Sequence, residues 1–123
     1  MNMVKKLLIP IYSDEVGPRF DLATEVYVLI KVGDDEIEEE KIVVLPQASA
    51  EKLCHLILTE NIQTVICGAI EDEYYQFLKW KKVTVIDSVS GSWVAALKLY
   101  NAGSLNPGEI LCQRSVEGKR VNV

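Results

Sequence analysis

The sequence predicts a three-layer α/β domain, built on a mixed five-stranded sheet with helices on both faces. Short apolar runs of strand length alternate with stretches of helical periodicity in the second half of the chain, and the first half has the pattern of a strand followed by a hairpin. The size and composition of the chain agree with this prediction, because 123 residues with 49% apolar and 25% charged side chains match one ordinary globular domain. We expect a single domain over residues 1–105 and a C-terminal tail over residues 106–123.

The first half of the chain predicts three strands. Residues 5–12 form a nearly continuous apolar run, which is typical of a central strand covered on both faces. Residues 24–32 and 41–45 are rich in β-branched and aromatic side chains, and the turn residues from Gly33 to Asp35 between them predict a hairpin. Six acidic side chains between positions 34 and 40 are then expected on an exposed turn.

The second half predicts three helices separated by two buried strands. In chain order these are a helix over 50–60 with Ser49 as its N-cap, a strand over 64–67, a helix over 71–82, a strand over 83–86, and a helix from Trp93 that stops at Gly103. Parallel neighbours require crossovers, so four connections meet at one edge of the sheet: residues 13–22, 46–49, 68–71 and 87–92. Ligands of open α/β sheets bind at that carboxyl edge.

Charge and composition exclude several classes of protein. The net charge is −5, and the basic residues are scattered rather than gathered in a stripe, which argues against a nucleic-acid partner. Membrane binding by a spanning helix is not expected, because no apolar run approaches the roughly 18 residues that a span needs. Cys54, Cys67 and Cys112 are odd in number and widely spaced, which argues against a disulfide scaffold and indicates the reducing cytoplasm.

Pro18, Arg19, Phe20 and Ala23 lie within the segment IPIYSDEVGPRFDLATEVYVL. This segment resembles the opening of the dinitrogenase iron-molybdenum cofactor biosynthesis family. The stretches VICGAI and ALKLYNAGSL and the turn at Gly91 are similar to further landmarks of that family. The resemblance implies a ribonuclease H-like fold and non-enzymatic carriage of iron-molybdenum cofactor, its precursors or related metal–sulfur clusters.

Candidate ligand-binding residues lie on the connections at the predicted edge: Arg19, Phe20, Gly68, Ser88, Ser90, Gly91 and Ser92. A guanidinium offers paired donors to a carboxylate, a phosphate or an anionic cluster. The serine-rich turn offers hydroxyl groups and the free amides of the helix that follows it. Two simpler interpretations stay open: an ion pair of Arg19 with Asp14, Glu15 or Asp21, and helix capping by Ser90 or Ser92.

Cys67 is the candidate metal ligand, because it ends a predicted strand beside Gly68, where a thiolate would face the cleft. The alternative is a small apolar residue of the core. Cys54 lies on the apolar stripe of the first predicted helix and is expected to pack there, whereas His55 lies toward the polar face.

These observations favour a small cytoplasmic binding protein without catalytic residues, whose ligand is an anionic metal cluster or another small anion. An interaction or regulatory module is the alternative, with a protein partner or a second copy of the chain bound through the acidic hairpin or the tail. A metal-dependent hydrolase is the third hypothesis, and it would need Asp14, Glu71 and Asp87 to converge on divalent ions.

Overall fold

The computed structural model describes residues 4–32 and 37–111 of the chain. The elements in these ranges are, in chain order, β1 Val4–Tyr12, β2 Glu15–Val16, a 3-10 helix Phe20–Leu22, β3 Glu25–Val32, β4 Ile37–Val44, α1 Ala50–Thr59, β5 Thr64–Ile66, α2 Asp72–Trp80, β6 Thr84–Ile86, β7 Ser90–Gly91, α3 Trp93–Asn101 and β8 Ile110–Leu111. The predicted mixed α/β class is confirmed.

The main sheet has six strands, one more than predicted. Its order is β4-β3-β1-β5-β6, with β2 paired to the end of β1. The pairs β1/β3 and β3/β4 are antiparallel, while β5 runs parallel to β1 and β6 runs parallel to β5. The additional strand β2 spans only Glu15 and Val16, and a pair of residues is too short to show strand periodicity in the sequence.

A second, two-stranded sheet joins the predicted tail to the domain. Strand β8 runs parallel to β7, with Ser90 opposite Ile110 and Gly91 opposite Leu111. The Gly108 amide also donates to the Asp87 carbonyl oxygen at 2.9 Å. Residues 106–111 therefore return to the domain, and residues 112–123 lie outside the described part of the chain.

The core lies on both faces of the main sheet because successive side chains of β1 point to opposite sides. Leu8 packs in a cluster that contains Leu53 of α1 and Leu78 of α2. Its neighbours Leu7 and Ile9 belong to the opposite cluster, which contains residues of α3. Helices α1 and α2 therefore cover one face and α3 covers the other, in agreement with the prediction of helices on both faces.

The acidic segment differs from the prediction. Glu38, Glu39 and Glu40 lie within β4, so the second strand of the hairpin is longer than the predicted strand over 41–45. All three side chains are exposed, and β4 is the last strand of the sheet, where charged side chains are common. The remaining acidic residues of the run, Asp34 to Glu36, lie outside the described residues.

Two of the helix starts are capped by serine. The Ser49 hydroxyl oxygen accepts a hydrogen bond from the Lys52 amide at 3.2 Å, which confirms the predicted N-cap of α1. Ser92 caps α3 in the same way, accepting from the Ala95 amide at 3.1 Å. None of the helices in the described ranges has the length and apolar character needed to cross a membrane.

Candidate functional site

The carboxyl ends of β1, β4, β5 and β6 lie at the same edge of the sheet, as the strand directions require. Main-chain hydrogen bonds join three of the connections that begin there. The Ala69 amide donates to the Pro18 carbonyl oxygen at 2.9 Å, and the Phe20 amide donates to the Ala69 carbonyl oxygen at 2.8 Å. The Ser88 amide donates to the Gly68 carbonyl oxygen at 2.9 Å. The segment at Gly68 therefore lies between the Arg19 loop and the serine-rich turn.

Gly68 allows this close approach because it has no side chain. A Cβ at this position would stand 2.5 Å from the Gly17 carbonyl oxygen and 2.6 Å from that of Pro18, well inside contact distance. The predicted ligand residue Gly68 thus contacts the neighbouring main chain, and its role in the structure is to let the loop after β1 pack on the loop after β5.

Arg19 lies on a cavity of about 320 Å³ at this edge, which we call the Arg19 pocket. Its lining residues are Ile11, Tyr12, Gly17, Pro18, Arg19, Leu22, Ala23 and Thr24. The Arg19 side chain is 55% exposed and forms a two-pronged ion pair with Asp21, with Nε at 3.0 Å from Oδ1 and Nη2 at 2.7 Å from Oδ2. An ion pair of Arg19 with a nearby acidic residue, one of the interpretations that the sequence left open, is therefore present, and the partner is Asp21. Exposed pairs of this kind contribute about 0 to 1 kcal/mol, so an incoming anion can compete with Asp21.

Phe20, the next predicted ligand residue, points away from solvent. Its side chain is 1% exposed and belongs to the core cluster beneath α1 and α2. The centroid of its ring lies 6.4 Å from that of Tyr74 in α2. Phe20 therefore anchors the Arg19 loop to the core through apolar packing.

The serine-rich turn is occupied by contacts within the chain. The Ser88 hydroxyl donates to the Asp87 carboxylate at 3.1 Å, and the Ser90 amide donates to the Glu109 carbonyl oxygen at 3.0 Å. Gly91 adopts a φ of +103°, and a Cβ there would collide with the Leu111 carbonyl oxygen. Ser92 caps α3, so helix capping, the simpler of the two interpretations given above for this residue, is the one present. Within the described ranges, no residue from Ser88 to Ser92 lines the Arg19 pocket.

Cys67 is fully buried in the core directly after β5. Burial, with a further contribution from the negative charge of Asp87, raises the pKa of its thiol to about 12. Metal ligation needs the thiolate, which this environment disfavours. The geometry favours the alternative interpretation, a small residue of the core, and metal binding by Cys67 stays a prediction.

The carboxylates of the hydrolase hypothesis do not form a metal centre. Over residues 4–32 and 37–111, no group of three or more His, Cys, Asp or Glu side chains is placed to hold a metal ion. Asp14, Glu71 and Asp87 therefore do not converge in the way that two-metal catalysis requires.

A larger cavity, of about 420 Å³, lies between α1 and α2, and we call it the α1–α2 groove. It is lined by Glu51, Cys54, His55, Leu58, Glu73, Tyr74 and Phe77. The sequence predicts packing for Cys54 and the polar face of the helix for His55, and it predicts no site here. Helical periodicity shows which residues face a neighbouring helix but not how far apart the two helices pack, so the pattern carries no signal for a groove.

No protein-family model matches the chain, and no curated protein matches it. Several solved structures resemble it, among them the following three. PH0822, known from a crystal structure, has a TM-score of 0.72 and 18% identity over 83% of this chain and 93% of its own. A protein from Methanocaldococcus jannaschii provisionally assigned as a dinitrogenase has a TM-score of 0.63 and 23% identity, over 85% of this chain and 94% of its own. A provisionally assigned NifB protein of the DUF35 family from Thermotoga has a TM-score of 0.63 and 19% identity, over 89% of this chain and 98% of its own. At these identities the likeness shows a shared fold.

Proposed function

We propose that the chain is a non-enzymatic binding protein with a ribonuclease H-like fold, which carries a metal–sulfur cluster, a cluster precursor or a related small anion in the Arg19 pocket. The observation that carries this proposal is the half-exposed Arg19 guanidinium on the rim of a cavity of about 320 Å³ at the carboxyl edge of the sheet. The nitrogenase-related names of two structural neighbours support a role connected with nitrogen fixation.

Charge and hydrogen bonding would hold such a cargo. Among the described residues, the pocket lining contains no thiol, imidazole or carboxylate, so its donor set fits the sulfur or oxygen atoms on the outside of an anion rather than a metal ion. Arg19 offers two parallel N–H donors once the anion displaces Asp21, and Tyr12 and Thr24, whose side chains end in or contain a hydroxyl group, are residues of the same lining. The apolar side chains of the lining exclude water from one side of the ligand.

The same lining supports a carrier rather than an enzyme. Among the described residues, its lining includes no histidine, cysteine, aspartate or glutamate, the side chains that most often act as general acids or bases. A ligand bound there would be held without acid–base chemistry. The proposal places the protein in the cytoplasm, and the free thiols of Cys54 and Cys67 suit that compartment.

Anaerobic calorimetry with tetrathiomolybdate tests the proposal. We expect saturable binding to the wild type and a loss of about tenfold or more in Arg19→Gln, because a hydrogen bond to a charged group contributes about 1.5 to 3 kcal/mol. Lys98→Gln, which removes an exposed cation from α3, is the matched control and should bind as the wild type does.

Two results would contradict this proposal. One is the absence of tetrathiomolybdate binding to the wild type together with no uptake on anaerobic reconstitution with iron, molybdate and sulfide. The other is equal binding by the Arg19→Gln variant and the wild type. Circular dichroism of each variant shows whether a loss of binding reflects loss of the fold.

A further inference from the structure

The α1–α2 groove is a second cavity, which the proposed function does not use. Its volume of about 420 Å³ lies in the range of about 300 to 1,000 Å³ that is usual for small-molecule sites. Cys54, 5% exposed, forms its floor, and the exposed side chains of His55 and Phe77 stand at its rim. In the described part of the chain the Cys54 thiol has no hydrogen-bond partner. The groove is therefore a formed cavity with an apolar floor.

Two carboxylates line the groove from opposite sides. Glu51 lies in the first turn of α1 and Glu73 in the first turn of α2. Neither forms an ion pair within the described residues, and no lysine or arginine is among the lining side chains. The groove therefore has two carboxylates on its lining that no lysine or arginine of that lining pairs with in the described part of the chain.

The negative charge of these carboxylates affects ionisable groups on both helices. Burial, with the negative charge of Glu51, raises the pKa of the Cys54 thiol to about 11. Burial and the charges of Glu73 and Glu51 also raise the pKa of Tyr74 on the opposite helix. An anionic ligand would meet the same repulsion, whereas a cation would be stabilised.

Aromatic side chains complete the lining. The Tyr74 ring is packed from the core side by Phe20, at 6.4 Å between centroids, so it is held in place. Lys81 Nζ lies 5.8 Å from the centroid of Phe77, so that ring already has a cation, and Tyr74 is the ring left for a ligand. The face of an aromatic ring attracts cations within about 6 Å of its centroid. Leu58 and Cys54 offer apolar surface beside it.

We propose that the α1–α2 groove binds a small organic cation, with an ammonium group held by Glu51, Glu73 and Tyr74 and an apolar substituent resting on Cys54 and Leu58. Such a site is separate from the Arg19 pocket, whose lining includes the cationic side chain of Arg19 and which is built from β1 and the loop that follows it. The chain would then hold two ligands of opposite charge at independent sites.

Titration of the isotope-labelled full chain with phenethylamine, followed by amide chemical shifts, tests this proposal. The neutral analogue 2-phenylethanol and the anion 3-phenylpropionate have nearly the same shape and isolate the effect of charge. We expect saturable shifts confined to residues 51–58 and 73–77 with the amine, weaker shifts with the alcohol and none with the carboxylate.

Isosteric variants identify the carboxylates. Glu51→Gln and Glu73→Gln should each weaken amine binding by up to about fivefold, since an exposed ion pair contributes about 0.2 to 1 kcal/mol. Glu39→Gln makes the same change of net charge on β4, away from the groove, and should leave the affinity unchanged.

Three results would overturn the proposal. The first is equal chemical-shift changes with the amine and the alcohol, and the second is equal weakening of amine binding by Glu39→Gln and Glu51→Gln. The third is the absence of chemical-shift changes at about 10 mM amine, a concentration ten times a dissociation constant of about 1 mM. Retention of the amide spectrum outside the groove separates a loss of binding from a loss of fold. Because the probe is a cation and the readout is local to α1 and α2, failure here leaves anion binding at Arg19 unaffected.

Discussion

Pro18 packs so closely on Gly68 that a Cβ at position 68 would stand 2.6 Å from the Pro18 carbonyl oxygen. This contact joins the loop after β1 to the loop after β5, and the hydrogen bond from the Ala69 amide to the Pro18 carbonyl oxygen lies beside it. The position of Arg19, the next residue along the chain, therefore depends on a glycine in a different connection.

Gly68→Ala is expected to destabilise the protein, because the added methyl group forces the main chain at Gly17 and Pro18 to move. Overpacking of this kind costs about 1 to 3 kcal/mol. Urea denaturation measures the change in the free energy of unfolding. Gly17→Ala is the matched control, since its Cβ would lie 3.4 Å from the Pro10 carbonyl oxygen, an ordinary contact. Equal losses in the two variants would contradict the explanation.

Asp21→Asn is expected to strengthen anion binding at Arg19. The substitution weakens both hydrogen bonds that now hold the guanidinium, at 3.0 and 2.7 Å, so a ligand no longer competes with a carboxylate. The gain in affinity for tetrathiomolybdate should be about two- to fivefold, the equivalent of an exposed ion pair. Calorimetry at low and high salt measures it, and the difference should shrink as salt rises. An unchanged or weaker affinity would show that Asp21 does not compete with the ligand.

The free energy of unfolding should fall as the pH rises from about 9 toward 12. Burial raises the pKa of Cys67 from its ordinary value of 9.0 to about 12, and that of Tyr27 from 10.0 to about 12. Both groups bind protons more tightly in the folded state. Their contribution to the free energy of unfolding is therefore complete below the pKa values of the unfolded chain and is lost as the pH rises toward the pKa values of the folded protein. Each group contributes a slope of up to about 1.4 kcal/mol per pH unit.

Cys67→Ala checks the contribution of the thiol to this alkaline loss. The variant lacks one titrating group, so its free energy of unfolding should fall less steeply with pH between about 9 and 12, whatever its stability at neutral pH. Urea denaturation at a series of pH values measures the slope. The same slope in the wild type and the variant would show that the thiol does not titrate in this window.

Gly91→Ala is expected to separate β8 from β7. Gly91 combines a φ of +103° with a main-chain contact to Leu111 that leaves no room for a Cβ. Hydrogen exchange should show loss of protection at the Ser90 amide, which donates to Glu109, with little change in β1. Gly103→Ala is the control, because Gly103 has a φ of +75° but a Cβ there would meet no heavy atom within 4 Å. Retained protection at Ser90 in Gly91→Ala would be the contrary result.

Much of the fold follows from local sequence patterns. Serines at the starts of α1 and α3, apolar stripes along the helices and apolar runs in β1 and β5 all have their signal within a few residues. Strand directions then follow from the crossovers, which is why the carboxyl edge could be predicted.

The missing features depend on contacts between distant segments. Pairing of β8 with β7 joins Ile110 to Ser90, and neither segment has a strand pattern of its own. Glu38 to Glu40 have the composition of a turn, yet an edge strand tolerates them because its outer side is solvated. At the site, sequence places Arg19 at the correct edge, but it does not show that Phe20 and Cys67 turn into the core.

The main-chain bonds that link the segments at Pro18, Gly68 and Ser88 also bear on how relatives of this protein can diverge. An insertion or deletion in any one of these segments would break bonds to its neighbour, so loop length at this edge should vary little among homologues. Outward-facing side chains such as Arg19 carry no such restriction. New ligand preferences at the edge are therefore expected to arise by point substitution on an unchanged backbone.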